Sequence, residues 1–258
     1  MLGFLRSLTE VMYRLTGYVM AVAPLGVLGA TAAVVAQQGG AAMAIFAKLA
    51  LAVGIGLGAL LLVLYPAIAV LFRIPYLRLV GAVKEAAIIA FATASSAAAL
   101  PEAMAELEEW GVPRSTVGFV FPTGLTFNLA GSTVYLGIAA VFVLQMGETT
   151  LGMAAFGQLF VILFIASKGV PQVPRGSFVV LAAALATFGA PDQAIAAGIG
   201  ILLGLDALLD MARTGTNVIG NCLATAVIAR WEGQLEGRTL RATADPAPGA
   251  PTSEPSLE

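Results

Sequence analysis

The chain has 258 residues, of which 59% are hydrophobic and 11% are charged, with a net charge of −2 and no histidine. A soluble domain of this length would carry about 25% charged residues, so the composition excludes an ordinary soluble protein and predicts a polytopic helical membrane protein. The near-neutral charge gives no electrostatic basis for a nucleic-acid partner, and the single cysteine excludes an internal disulfide.

Long uncharged tracts are the first feature met along the chain. Each reaches or approaches the about 20 residues that are needed to cross a bilayer. A further apolar stretch near the C-terminus is interrupted by polar side chains, and the tail that follows is rich in Pro, Ala, Thr and Glu, which predicts disorder. The uncharged tracts cover residues 15–47, 49–72, 115–147 and 149–167.

Positive charges outside these tracts predict which ends of the spans face the cytoplasm. Lys and Arg cluster near the N-terminus, between residues 73 and 114, and from residue 230 onward. By the positive-inside rule these ends are cytoplasmic, which puts both termini of this chain inside. Residues 79–110 and 149–187 then have both flanks on one side of the membrane, so each is predicted to enter and leave on the same face.

Helix breakers mark the turning points of both predicted re-entrant hairpins. Residues 93–101 contain two serines and a proline, and residues 166–174 contain a glycine and two prolines. Non-helical backbone at membrane depth is tolerated only where it is buried in protein or lines a cavity. Two such hairpins on opposite faces, each followed by a span, are typical of an inverted repeat and of a secondary transporter with its site at the midplane.

A third interruption lies inside the predicted span over residues 115–145. Residues 122–133 contain Pro122, Asn128 and two glycines. A locally unwound span would free backbone carbonyls for a cation. A proline kink with small residues at a helix–helix contact explains the same sequence, and the choice stays open at this point.

Six polar residues interrupt the last apolar stretch. At about 100° per residue in an α-helix they form one stripe about 100° wide. A charged side chain at membrane depth costs about 2.5–3.5 kcal/mol, so such groups face a protein interior or a wet cavity, and the stripe predicts a site for a small polar solute. A structural ion pair, with amides that bond between helices, is the alternative. The six residues are Asp206, Asp210, Arg213, Thr214, Asn217 and Asn221.

Together these features resemble the dicarboxylate/amino acid:cation symporter family, which includes the glutamate transporter homologues. Asp210-Met-Ala-Arg-Thr-Gly-Thr-Asn217 resembles the last-helix motif, Asn128-Leu-Ala-Gly-Ser the unwound element, and the two breaker segments the hairpin tips. The resemblance covers residues 2–233 and is closest to proton-coupled glutamate/aspartate symporters. It implies an all-α membrane fold with two re-entrant helical hairpins in an inverted repeat, which is an elevator-type transport domain.

The resemblance implies roles for individual residues. Arg213 would hold the distal carboxylate of an acidic amino acid or dicarboxylate, and Asp210 would hold an α-amino group. An acid at position 210 favours glutamate or aspartate, because pure C4-dicarboxylate carriers tend to lack it. The implied substrate contacts are Ser95, Ser96, Asp210, Arg213, Thr214 and Asn217, and the implied gate is Ser167, Gly169, Val170 and Pro171.

Two positions bear on the coupling ion. Asn221 and Ala130 stand where sodium-coupled members of the family have aspartate. A hard cation prefers anionic oxygen ligands, so the resemblance favours protons over sodium. The implied coupling residues are Asn128, Asp206, Asp210 and Asn221.

The predicted organisation is two spans over residues 1–74, a transport core over residues 75–233 and a disordered cytoplasmic tail over residues 234–258. We expect a multi-pass protein of the plasma (inner) membrane, which is a homotrimer if the family's N-terminal spans precede this chain. A C4-dicarboxylate symporter, a truncated relative with a structural role and a passive anion channel stay open as alternatives. No nucleophile–base pair or metal cluster is recognisable, so neither an enzyme nor a cofactor or metal is expected.

Overall fold

A computed structural model describes residues 39–168 and 176–235, together with scattered positions between residues 11 and 36. Most of the predicted first span, the second hairpin's tip at residues 169–175 and the tail after residue 235 lie outside the described residues. The regular structure of the described part is helical. Its helices are α1 (Ala41–Ala59), a π-helical turn (Leu60–Leu64), α2 (Tyr65–Leu71), α3 (Tyr76–Ala82), α4 (Lys84–Thr93), α5 (Ser96–Trp110), α6 (Arg114–Phe127), α7 (Ala130–Met146), α8 (Met153–Ser167), α9 (Gly176–Thr187) and α10 (Asp192–Trp231).

Three helical segments of the described part are long and apolar enough to cross a membrane, namely Met43–Leu71, Arg114–Met146 and Asp192–Trp231. The prediction of an all-helical membrane protein is therefore confirmed. At 1.5 Å per residue, the 40 residues of α10 extend over about 60 Å, which is twice the roughly 30 Å thickness of a hydrocarbon core. Helix α10 packs against α1–α7 and α9, so it forms the centre of the described fold.

The first long segment changes its hydrogen-bond pattern just before Pro66. Proline has no N–H to donate to the preceding turn, and the chain makes a π-helical turn there in which the Tyr65 N–H donates to the Leu60 carbonyl. Tyr65 lies buried against α10, where its hydroxyl donates to the Thr216 carbonyl over 3.4 Å. A Cβ atom on Gly220 would lie 2.8 Å from Cζ of Tyr65, so this contact requires glycine at position 220.

Helices α4 and α5 form a helical hairpin whose turn is made by Ala94 and Ser95. Ala94 ends α4 in the left-handed region with φ of 49°, and Ser95 begins α5 in an extended conformation. The Ser95 hydroxyl caps α5 by accepting a hydrogen bond from the Ala98 N–H over 3.3 Å. Pro101 lies inside α5 without ending it. The turn of this hairpin is thus a serine cap, and the proline that the sequence analysis treated as its breaker is part of the second arm.

The open end of the same hairpin is held by Glu106 of α5. Its carboxylate accepts hydrogen bonds from the N–H groups of Glu85 and Ala86, over 3.2 and 3.3 Å, in the first turn of α4. A negative charge is favoured at a helix N-terminus, where N–H groups lack partners within the helix. Burial raises the pKa of the Glu106 carboxyl, and the two N–H donors act in the opposite direction. Glu106 therefore fixes the two arms to each other.

Candidate functional site

The helical path between α6 and α7 is interrupted at Asn128 and Leu129. Asn128 has φ −107° and ψ 70°, and Leu129 has φ −103° and ψ 55°, so neither residue is helical. The interruption lies within residues 122–133, where the sequence predicts one. Pro122 lies inside α6, which continues to Phe127, so the interruption is an unwound turn rather than a kink at the proline.

Side chains bond the unwound turn to α10. The Gly131 N–H donates to Oδ1 of Asn217 over 2.8 Å, and Nδ2 of Asn217 donates to Oγ of Ser132 over 3.0 Å. Nδ2 of Asn128 donates to the Gly220 carbonyl over 3.3 Å. An unpaired backbone N–H in an apolar environment is costly, and Oδ1 of Asn217 gives the Gly131 N–H, in the first turn of α7, a hydrogen-bond partner. Asn217 thus fixes the unwound turn in place.

Gly131 lies too close to α10 to accept a side chain. A Cβ atom there would be 2.9 Å from the Arg213 carbonyl oxygen and 3.0 Å from Oδ1 of Asn217. We expect Gly131→Ala to displace the start of α7, to weaken the bond to Asn217 and to destabilise the fold by about 1–3 kcal/mol. Thermal unfolding in detergent measures this as a lower midpoint than that of Gly118→Ala, since nothing lies within 4 Å of a Cβ at Gly118. Equal midpoints for the two variants would show that the unwound turn tolerates a Cβ.

The half-buried Asp210 and the buried Arg213 form an ion pair on α10. Nε of Arg213 donates to Oδ1 of Asp210 over 2.8 Å, and their side chains are 8% and 13% exposed. Oγ1 of Thr214 donates to the same Oδ1 over 3.4 Å. The structure therefore contains the ion pair that the sequence analysis left open as an alternative to a substrate site. Removal of one partner would leave the other charge buried and uncompensated.

Two further side chains fix the guanidinium of Arg213 from other helices. Nη1 of Arg213 donates to Oγ of Ser177 on α9 over 3.1 Å, and the guanidinium carbon lies 4.6 Å from the ring centroid of Tyr135 on α7. Both partners are buried. Neither residue was predicted from the sequence. Ser177 follows the breaker segment at residues 166–174, and its place beside a predicted hairpin tip is the signal that could have pointed to it.

Asp206 and Asn221 lie at the two ends of the polar stripe, and both are buried. Asp206 lies one turn before Asp210 and interacts electrostatically with Tyr135. The amide of Asn221 is 1% exposed, and neither of its side-chain N and O atoms has a hydrogen-bond partner in the described part of the chain. It lines a cavity of about 570 Å³, together with Tyr65, Gly124 and the half-buried Asn128. The cation-coupling residues predicted on α10 and at the unwound turn are thus buried or half-buried.

The turn of the first hairpin lies close to α10. Phe91, one helical turn before Ser95, lies 3.5 Å from the position of a Cβ on Gly215, on the face of α10 that is opposite to the polar stripe. The Ser95 hydroxyl is used as the cap of α5, and Ser96 is buried next to it. Of the two serines predicted to contact substrate, Ser95 would therefore act through its backbone groups or its remaining lone pair.

The second hairpin reaches the unwound turn through Ser167, at the end of α8. Its Oγ lies 3.0 Å from Oγ1 of Thr133 on α7 and donates to the Phe164 carbonyl over 2.7 Å. Ser167 is the part of the predicted gate that the structure describes. Gly169, Val170 and Pro171 lie outside the described residues.

Comparison with known proteins adds to this geometry. Residues 1–231 match the sodium:dicarboxylate symporter family. The chain is 40% identical over 231 residues to a proton/glutamate-aspartate symporter of Escherichia coli (strain K12), with 90% of this chain and 52% of that protein covered. It is 37% identical over 233 residues to a proton/sodium-glutamate symport protein of Geobacillus stearothermophilus, with 90% and 54% covered.

A third relative has a name that points to a different solute. A C4-dicarboxylate transport protein of Solibacter usitatus (strain Ellin6076) is 35% identical over 254 residues, which are 98% of this chain and 59% of that protein. The chain thus spans about half the length of the curated relatives that it matches.

Proposed function

This chain belongs to the sodium:dicarboxylate symporter family, and on that basis we propose that it forms the transport core of a secondary-active symporter for glutamate or aspartate. The family is one of symporters rather than enzymes. The coupling cation is proposed to be the proton, and the proposed location is the plasma membrane. The family membership predicted from the last-helix motif and the hairpin tips is confirmed by the match over residues 1–231.

The observation that supports this choice of substrate is that the ion pair leaves one nitrogen and one oxygen without a hydrogen-bond partner. In the described residues, Nη2 of Arg213 and Oδ2 of Asp210 have no hydrogen-bond partner, whereas Nε and Oδ1 bond to each other. A guanidinium offers a planar fork of donors that fits a carboxylate. An acidic amino acid brings a side-chain carboxylate for Arg213 and an ammonium for Asp210. The ion pair therefore offers Arg213 to the side-chain carboxylate and Asp210 to the ammonium, the two charges that distinguish an acidic amino acid.

The proposed architecture places α4–α5 and α8–α9 as two re-entrant hairpins. Their arms have 10, 15, 15 and 12 residues, which is about 15–22 Å at 1.5 Å per residue and less than a hydrocarbon core of about 30 Å. Arms of this length support re-entry rather than crossing. We further propose the organisation predicted from the sequence: residues 1–74 as spans, residues 75–233 as a core that moves as an elevator, both termini of this chain in the cytoplasm, and a homotrimer if the family's N-terminal spans precede this chain.

Asn221 and Ala130 support coupling to protons. The cavity beside the unwound turn has the neutral amides of Asn128 and Asn221 and the methyl group of Ala130 in its lining. A sodium ion in this cavity would have the neutral oxygens of these amides as ligands. Because hard cations bind carboxylates best, this lining disfavours sodium. We propose that the proton carrier is one of two acids on α10, Asp206 or Asp210.

The test is uptake of labelled glutamate and aspartate into proteoliposomes, by the chain alone and by the chain joined to the preceding spans of a curated relative. We expect saturable uptake that is driven by an inward proton gradient, that is lost with a protonophore and that is unchanged when choline replaces sodium. A large drop in choline would refute proton coupling. The absence of uptake from both preparations would refute the carrier, and current without saturable uptake would indicate a passive anion channel.

A C4-dicarboxylate is the second candidate substrate. It is favoured by the similarity to a C4-dicarboxylate transport protein over 98% of this chain. It has two carboxylates, as an acidic amino acid does, but it has no ammonium. Asp210 is the residue that separates the two candidates, because a carboxylate on α10 attracts an ammonium and repels a further carboxylate.

A further inference from the structure

We propose that Ser177 is a positioning residue that sets the substrate preference of the site by fixing the guanidinium of Arg213. This inference rests on the function proposed above. Ser177 is the second residue of α9, is 2% exposed, and accepts a hydrogen bond from Nη1 of Arg213 over 3.1 Å. The bond joins two residues that are 36 positions apart and that belong to the second hairpin and the last helix.

Three contacts fix the guanidinium in three directions. Asp210 holds Nε from the same helix, the guanidinium carbon lies over the ring of Tyr135 of α7, and Ser177 holds Nη1 from α9. Asp210 alone would leave the outer end of the group free to rotate about the long, flexible side chain. Ser177 contacts that outer end, so the Ser177 hydroxyl determines where the remaining Nη hydrogens point.

The position of those hydrogens bears on the length of the substrate. An acidic amino acid bound between Asp210 and Arg213 must span the distance from the Asp210 carboxylate to the free edge of the guanidinium. Glutamate and aspartate differ by one methylene, and a site discriminates such a difference only when its end groups are held in place. The hydrogen bond of Ser177 thus favours one substrate length. Because Ser177 belongs to the second hairpin, the length that is favoured depends on the position of that hairpin.

The experiment compares Ser177→Ala with Ser177→Thr, which keeps the hydroxyl. Thr187→Ala is the matched control, since it removes a hydroxyl from the other end of α9 that bonds only within its own helix. Initial rates of labelled glutamate and aspartate uptake into proteoliposomes give KM and the maximal rate for each. A hydrogen bond to a charged group contributes enough for about a tenfold change in affinity when it is lost.

We expect Ser177→Ala to raise KM about tenfold, to leave the maximal rate within about twofold, and to change the ratio of the two KM values at least about threefold. Ser177→Thr and Thr187→Ala are expected to stay near the parent chain. Unchanged KM values and ratio in Ser177→Ala, or a Ser177→Thr variant that behaves like Ser177→Ala, would overturn the inference while the proposed function stands.

A second measurement does not depend on transport. Thermal unfolding in detergent is followed for Ser177→Ala in the parent chain and in the Arg213→Gln background. Groups in direct contact give non-additive effects, so we expect a midpoint drop of about 2–4 °C in the parent chain and none in the Arg213→Gln background. Equal drops in both backgrounds would overturn the inference even if the chain carries no solute.

Discussion

Replacement of Arg213 by alanine is expected to abolish saturable uptake of glutamate and aspartate at ordinary concentrations. The guanidinium is the buried cation of the polar stripe, and its Nη2 makes no hydrogen bond within the described residues. Truncation of one partner of a buried, hydrogen-bonded charge pair costs about 2–5 kcal/mol, which corresponds to an affinity about 30- to 4000-fold weaker. Concentration series of labelled substrate in proteoliposomes measure this as a loss of saturation or a rise in KM.

The alanine variant also leaves Asp210 buried without its cation, so loss of uptake alone does not separate binding from folding. Arg213→Lys is the first control: it keeps the positive charge but loses the planar fork that bonds Asp210 and Ser177. The double variant Asp210→Asn/Arg213→Gln is the second, because it removes both charges and keeps both side chains at similar size. We expect both controls to elute from size exclusion like the parent chain, and both to lose acidic solutes. Retained affinity in the double variant would show that Arg213 does not bind the substrate carboxylate, and retained affinity in Arg213→Lys alone would show that the positive charge suffices without the planar fork.

The polar stripe shows how far sequence reasoning reaches for this site. Residues at positions 206, 210, 213, 214, 217 and 221 lie on one helix, and helical periodicity places them on one face. The cost of polar groups in an apolar segment predicts that this face is buried. An interruption within residues 122–133 was predictable for a similar reason, because proline, glycine and asparagine cluster there, although the choice between an unwound turn and a proline kink stayed open. These predictions need only the local periodicity and the environment of a single element.

The contacts across elements could not be predicted in the same way. Asn217 was expected to contact the substrate, and its amide bonds to Gly131 and Ser132, which are 86 and 85 positions away in the sequence. Which amide atom faces the unwound turn depends on the rotation of α10 against α7, and no sequence pattern records that rotation. The same holds for Ser177 and Tyr135, whose importance follows from their direction toward Arg213. The turn of the first hairpin differs from the prediction for a local reason. The left-handed Ala94 ends α4 and the Ser95 cap begins α5, so the turn needs no proline.

Replacement of Asp210 by asparagine is expected to invert the substrate preference rather than to abolish transport. The amide keeps an oxygen that accepts from Nε of Arg213, so the geometry of the pair is retained, while the negative charge that attracts an ammonium is lost. A hydrogen bond to a charged group contributes about 1.5–3 kcal/mol, so KM for glutamate and aspartate is expected to rise about 10- to 150-fold. Succinate lacks an ammonium and gains from the loss of the repelling carboxylate, so its KM is expected to fall or stay unchanged. Competition of unlabelled succinate against labelled aspartate measures the inversion directly.

The matched control removes a carboxylate of the same helix that lies outside the site. Asp192 is exposed in the first turn of α10, and Asp192→Asn is expected to leave all three KM values unchanged. An equal rise for glutamate, aspartate and succinate in Asp210→Asn would make Asp210 a structural partner of Arg213 and no more. A parent chain that already prefers succinate would make the C4-dicarboxylate the substrate, and Asp210 would then be a proton carrier candidate rather than an ammonium ligand. The charge at position 210 thus decides between the two substrate classes. Arg213 binds a carboxylate in both classes, whereas Asp210 has a partner only in the amino acid, which carries an ammonium.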